Sequence, residues 1–285
     1  MANLLKELGY NEKSWIHVYL ELQELYMSVF EWENLPISCN GRYIEMSLMM
    51  RNQAVFFIPK EIEKPVCLKS SMIGLPDIYG DPIKVRAFGN NGFSEEINLR
   101  DDGVVFFDTK TRTTPIERLK LFAKRIVNQE RTIDINIHQQ RTPRLWGATK
   151  DTEHTIKTIL NRVNNYSEDL VLVDTMSESP PFLNVVNPAP FVAAQIRIEK
   201  NAIWSEAMTY CGIQSNSAEK KERVTPDEVE VSNGQARHKL KARFDERKLA
   251  CEKINKKYGL NISVKISDEV LQSFDEAKKE GDDIE

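Results

Sequence analysis

"TPIERLKLFAKRIVNQERTIDINIHQQRTP", residues 114–143, decides how the rest of the chain is read. Thr114 and Glu117 make a capping box, and Pro115 stands at the first helical position, where a missing N–H costs nothing. Leu119, Phe122, Ile126, Ile133 and Ile137 recur at helical spacing. "IDINI" alternates like a strand, but its place late in a capped run reads as helix. Pro143 forces an end. At ~1.5 Å per residue, ~27 residues predict a rod of ~40 Å. A second long helix is predicted from Asn187 as cap and Pro188 as first residue, through "FVAAQIRIEKNAIWSEAMTYC", to a stop at Gly212. Between them, 144–186 reads as a compact insert. It holds a helix with Ile156, Ile159, Leu160 and Val163 on one face, then a buried-type strand "DLVLVDT". Two long helices around an insert predict a stem that carries a small domain at its far end.

On the N-terminal side, Trp15, Val18, Leu22, Leu25, Val29 and Trp32 form one stripe, predicting a buried helix over 15–32 capped by Ser14. Leu35 before Pro36 ends it. A shorter helix is expected over 41–52. Short β-branched and aromatic runs at 54–59, 82–88 and 103–109, punctuated by "GLPDIYGDP", "GNNG" and "RDDG", predict a small antiparallel sheet or barrel. After the second long helix comes "SAEKKERVTPDEVEVSNGQA", 217–236, with three basic and five acidic residues and no aromatic one. It reads as a mobile loop with a basic front and a net charge of −2. A basic-rich helix to Gly259, a strand "NISVKI" and an acidic tail ending in disorder complete an α+β chain.

Composition bounds the function. The chain has 285 residues, 41% hydrophobic and 29% charged, with a formal net charge of −4, which argues against a surface that binds nucleic acid throughout. No run approaches the ~20 apolar residues of a membrane span. "MANLLKELGYNEK" lacks the layout of a secretory signal. Cys39, Cys67, Cys211 and Cys251 make no CxxC pair and read as reduced, partly buried thiols of a cytosolic product. There is no phosphate-cradling GxxxxGK[ST], no GxSxG elbow and no HExxH. His17, His138, His154 and His238 lie far apart and read as structural or surface residues. Asp101 and Asp102 read as a turn, and Asp282 and Asp283 as a solvated tail. Trp15, Tyr19, Tyr26, Phe30 and Trp32 read as core or subunit interface. No enzyme, cofactor or metal is expected.

Four segments, "FEWENLP" (30–36), "KNAIWSEAMTYCGI" (200–213), "EKKERVTPDEV" (219–229) and "ACEKINKKYGLNISVKI" (250–266), resemble the upper collar connector, or portal protein, of small short-tailed, protein-primed bacteriophages of the picovirinae group. The resemblance implies the phage portal fold. Its wing would be the N-terminal helices and an SH3-like β subdomain (1–113). Stem helices would span 114–140 and 188–212, around a small α/β clip at 141–187. A channel loop (213–236), a wing helix and strand (237–266) and an acidic tail (267–285) would follow. It implies a homo-dodecamer at one capsid vertex of the virion, made in the host cytoplasm. Double-stranded DNA would be packaged and ejected through it. Partners would be the major capsid protein, lower collar and tail proteins and a packaging ATPase, with no membrane. The DNA-channel contacts implied are Lys220, Lys221, Arg223, Arg197 and Lys200. Family lysines in the second stem helix correspond here to Asn184 and Gln195. The basic N-terminal arm that meets a packaging RNA in the best-known relatives is replaced by two lysines and two glutamates, so that arm gives no support for packaging RNA. The runner-up is a non-viral ring-forming scaffold or DNA-binding protein.

Overall fold

The computed structural model describes residues 10–141, 190–214 and 226–274. The chain divides into two compact units, Met1–Val127 with Asn201–Glu285, and Asn128–Lys200.

The first described elements of the first unit are helix α1, Tyr10–Met27, and strand β1, Phe30–Glu33. The helix predicted over 15–32 is therefore shorter at its end, and Ser14 lies inside it. "FEWE" continues the apolar stripe but leaves the helix to pair antiparallel with β7, Ser263–Ile266, in the register Phe30↔Ile266 to Glu33↔Ser263. Pairing with a distant strand overrides local periodicity. Helix α2, Gly41–Arg51, matches expectation. The Asn40 side chain accepts from the Tyr43 N–H at its start, and Asn52 stops it in the left-handed region.

The sheet has five antiparallel strands: β2 Gln53–Phe57, β3 Val66–Ile73, β4 Lys84–Phe88, β5 Ser94–Asn98 and β6 Gly103–Phe107, in the order β5-β4-β3-β2-β6. The three expected runs became β2, β4 and β6. β3 and β5 carry "VCLKSSMI" and "SEEIN", too polar to announce themselves. β2 is apolar at every position after Gln53 because both its faces are covered. Val55 and Phe57 join Val85, Ala87 and Ile97 on one side, while Ala54 and Phe56 pack on the other with Ile44 and Leu48 of α2 and with Ala250, Cys251 and Ile254.

Helix α3, Ile116–Arg141, contains "IDINI", as expected. Helix α4 spans Ala193–Cys211, so its first residue lies five past the predicted one. Residues 190–192 are outside the helix. Within the second unit Asn136 of α3 holds this start: its Oδ1 accepts the Val192 N–H at 3.0 Å and its Nδ2 donates to the Pro190 carbonyl at 2.9 Å. Gly212 ends α4 at φ +83°, and a Cβ there would stand 3.0 Å from the Leu240 Cα, so both angle and space require glycine.

The largest departure follows. Helix α5 is one unit of 33 residues, Pro226–Tyr258. The second half of the predicted loop, "PDEVEVSNGQA", is its opening turns. Thr225-Pro226-Asp227-Glu228 repeats the T-P-x-E signature read at Thr114. The predicted stop at Gly259 (φ +67°) and the strand after it hold. At the start of the acidic tail residues 268–274 form a short helix, α6, whose Val270 and Phe274 are buried in the main core, while the end read as disorder, 275–285, lies outside the described residues. The insert at 142–189 and the loop residues 215–225 lie outside the described residues. Among those described, no helix is long and apolar enough to cross a membrane.

Candidate functional site

Of the five cations singled out from the sequence, Arg197 and Lys200 lie among the described residues. Arg197 is exposed on α4 and has no partner among the described residues. Lys200, three residues on and so on the same side of the helix, reaches Glu130 of α3 at 3.3 Å, with both side chains half-exposed. Lys220, Lys221 and Arg223 lie outside the described residues. The charge balance of their segment nevertheless changes. Asp227, Glu228 and Glu230 belong to α5, so residues 215–225 carry three basic and two acidic side chains, a net +1. The acidic residues open a helix, where its positive dipole end favours them. Among the described residues, no group of His, Cys, Asp or Glu could hold a metal ion.

The strongest chemistry of the first unit is a buried charge cluster that the sequence reading missed. Arg247 of α5 is fully buried. It grips Glu45 of α2 with two bonds, Nε to Oε1 at 2.9 Å and Nη2 to Oε2 at 2.6 Å. Nη2 also donates to Asp108 Oδ1 at 2.7 Å, and Nη1 to the Arg243 carbonyl at 3.0 Å. One turn earlier Arg243 donates to Asp108 at 3.3 Å, to the Cys211 carbonyl at 2.9 Å and to the Tyr26 carbonyl at 3.1 Å. The Tyr26 hydroxyl donates to Asp108 Oδ2 at 2.5 Å, and Trp32 Nε1 to Glu45 Oε1 at 2.9 Å. The guanidinium of Arg243 lies 3.6 Å from the centre of the Tyr26 ring, and that of Arg247 lies 4.2 Å from the centre of the Phe30 ring.

Two arginines and two carboxylates sum to zero, which is how buried charges persist at all. Burial alone would raise the Asp108 carboxyl. Arg243, Arg247 and the Tyr26 hydroxyl outweigh it and hold Asp108 down to about 2. Burial raises the Tyr26 hydroxyl well above its ordinary value. Burial works against the charge of Arg247, but Glu45 and Asp108 prevail and raise its pKa. The cluster ties α1, β1, α2, the end of β6, the end of α4 and α5 into one block. Its signal was present: Ala236, Leu240, Arg243, Arg247, Ala250 and Ile254 repeat by fours and threes, which places both arginines on the buried seam of a helix read as merely basic-rich.

Thiol chemistry is absent from this block. All four cysteines are free, and Cys67, Cys211 and Cys251 are buried. Burial pushes Cys211 up to about 12 and both Cys39 and Cys251 up to about 11.

The described residues form an α+β chain with two long helices, α3 and α4, and a five-stranded antiparallel sheet. The Phage Connector (GP10) family model matches residues 5–271, and the chain belongs to that family, which is structural and not enzymatic. The fold also matches a solved structure described as "Portal and tail of native bacteriophage P68". The two agree at a TM-score of 0.51 and 15% identity over 99% of this chain and 96% of that chain. The α+β portal fold expected from the sequence is thereby established.

Proposed function

We propose that the protein is the portal of a short-tailed bacteriophage: a ring of twelve chains at one capsid vertex, through which double-stranded DNA is packaged and later ejected. The family match over residues 5–271 carries this reading. The major capsid protein would surround the ring, the lower collar and tail proteins would be built on it, and a separate packaging ATPase would drive the DNA. The stem is assigned to 114–140 and 188–212, the clip to 141–187 and the wing to 1–113 with 237–266.

A conduit must guide DNA without holding it, because every neutralised phosphate adds to affinity. Arg197 is the stronger channel contact of the two on α4, since the charge of Lys200 is shared with Glu130. Lys220, Lys221 and Arg223 supply a second, basic ring, separated along the chain from the acidic opening of α5. A single chain weighs 32.9 kDa, so twelve give a particle of about 395 kDa. Native mass spectrometry of the purified protein tests this. A dominant species at that mass supports the reading, and a species of one or two chains at every concentration contradicts it.

A further inference from the structure

Soluble domains scatter large exposed apolar side chains singly, and groups of them mark contact surfaces. Among the described residues of the first unit two such groups lie at opposite ends of β3. Beyond Ile73, the β3–β4 connection displays Leu75, Ile78 and Tyr79 at 86%, 90% and 83% exposure. This loop is built. Asp77 Oδ1 accepts the N–H groups of Tyr79 at 2.9 Å and Asp81 at 2.8 Å, and Gly80 donates to the Asp77 carbonyl at 3.0 Å. Arg112 clamps it from the side. Its guanidinium donates to the Gly80 carbonyl at 3.0 Å, pairs with Asp81 and lies 4.4 Å from the centre of the Phe107 ring. Three apolar side chains thus stand on a tip whose ordering entropy is already met.

At the other end, before Val66, Ile37 is fully exposed, and Ile58 and Ile62 are 46% and 45% exposed. Their backbone is held too. The Pro59 carbonyl accepts from Ile62 at 3.3 Å and Glu63 at 2.9 Å. Ser38 Oγ and Cys39 Sγ both donate to the Pro65 carbonyl, at 2.5 Å and 3.4 Å, which brings the turn carrying Ile37 to the start of β3. The eight residues of β3 set the two groups roughly 25 Å apart.

We infer that these groups are the two halves of one contact between neighbouring copies of this chain, the tip at 75–79 of one seating on Ile37, Ile58 and Ile62 of the next. A two-fold dimer uses one patch twice, whereas a closed ring of more than two copies needs two unlike patches on every chain. Unlike apolar patches at opposite ends of one strand meet that need. The inference rests on the ring reading above.

The test uses the full-length chain. One variant carries Leu75→Ser, Ile78→Ser and Tyr79→Ser, and a second carries Ile37→Ser and Ile62→Ser. A third carries Tyr79→Cys with Ile37→Cys and is treated with a short bismaleimide beside the wild type. Sedimentation reads assembly, circular dichroism reads folding, and a denaturing gel reads cross-links. Both serine variants are expected to keep the wild-type spectrum and sediment mainly as single chains. The double-cysteine chain is expected to give a ladder of dimers, trimers and higher species, while a mixture of the two single-cysteine chains stops at dimers. Wild-type-sized rings from both serine variants with no ladder overturn the inference and leave the ring reading standing. Normal rings that lose attachment of a capsid or tail protein also overturn it, by assigning the patches to another partner. A wild-type chain that never assembles overturns the ring reading, and this inference with it.

Discussion

Arg247→Met removes the centre of the buried charge cluster while keeping an apolar side chain of useful length. The change deletes four hydrogen bonds, two to Glu45, one to Asp108 and one to the Arg243 carbonyl. Glu45 then keeps the Trp32 indole N–H as its bond within the cluster, and two carboxylates face one arginine. Breaking a buried pair from one side costs about 3–5 kcal/mol, chiefly because a charge is left buried without its partner. For a unit of this size that is a fall in melting temperature of roughly 6–20 °C. Urea unfolding followed by tryptophan fluorescence is a fitting assay, since Trp32 bonds to Glu45 and its ring centre lies 5.9 Å from that of Phe106. Adding Glu45→Met to Arg247→Met should recover stability, because the stranded charge leaves with it, so the two substitutions are strongly non-additive. An Arg247→Met chain within about 1 kcal/mol of wild type would refute the reasoning, given the magnitudes above. So would a double variant that loses the full sum of both single costs.

Asp108 sets an acid limit. Its pKa is held down to about 2 from an ordinary 3.8, so its contribution is present above pH ~4 and lost as the pH falls through 2. The shift corresponds to about 2 kcal/mol. Stability measured from pH 5 to pH 2 should fall with that slope, and Asp108→Asn should flatten it while lowering the plateau. Gly212→Ala meets both a positive φ and the Leu240 backbone. It should destabilise by more than the ~1 kcal/mol usual for strained glycine positions, read by thermal melting. The four thiols should resist alkylation at pH 8 in the native chain and all react after denaturation, counted by mass spectrometry, because burial raises each of them. Arg197→Ala should reduce DNA retention in filled heads more than Lys200→Ala, whose lysine already leans on Glu130.

Periodicity and punctuation made much of this fold legible. The capped run from Thr114, the glycine stops at Gly212 and Gly259, and the short helix α2 were all readable because each is decided within a few residues. What failed was decided at a distance. β1 continues the stripe of α1 and becomes strand only because β7 lies beside it. β3 and β5 are held by neighbours on both sides or at one edge, and their serines, lysine and glutamates hide them. The second half of the loop read at 217–236 was misjudged for a different reason. Its charge density looked like disorder, although Thr225-Pro226-Asp227-Glu228 announces a helix as clearly as Thr114 does. Arg243 and Arg247 were lost among basic neighbours because composition hides which face a residue takes, and their partners Asp108 and Glu45 come from separate elements. The channel cations remain a reading of resemblance, supported in the described residues by the exposure of Arg197.

Averaged electron-microscope images of the purified full-length protein test the central claim most directly. Top views with twelve-fold symmetry around an open centre wide enough for a DNA duplex are the predicted result. Single chains of 32.9 kDa, or closed particles with no central opening, would contradict it.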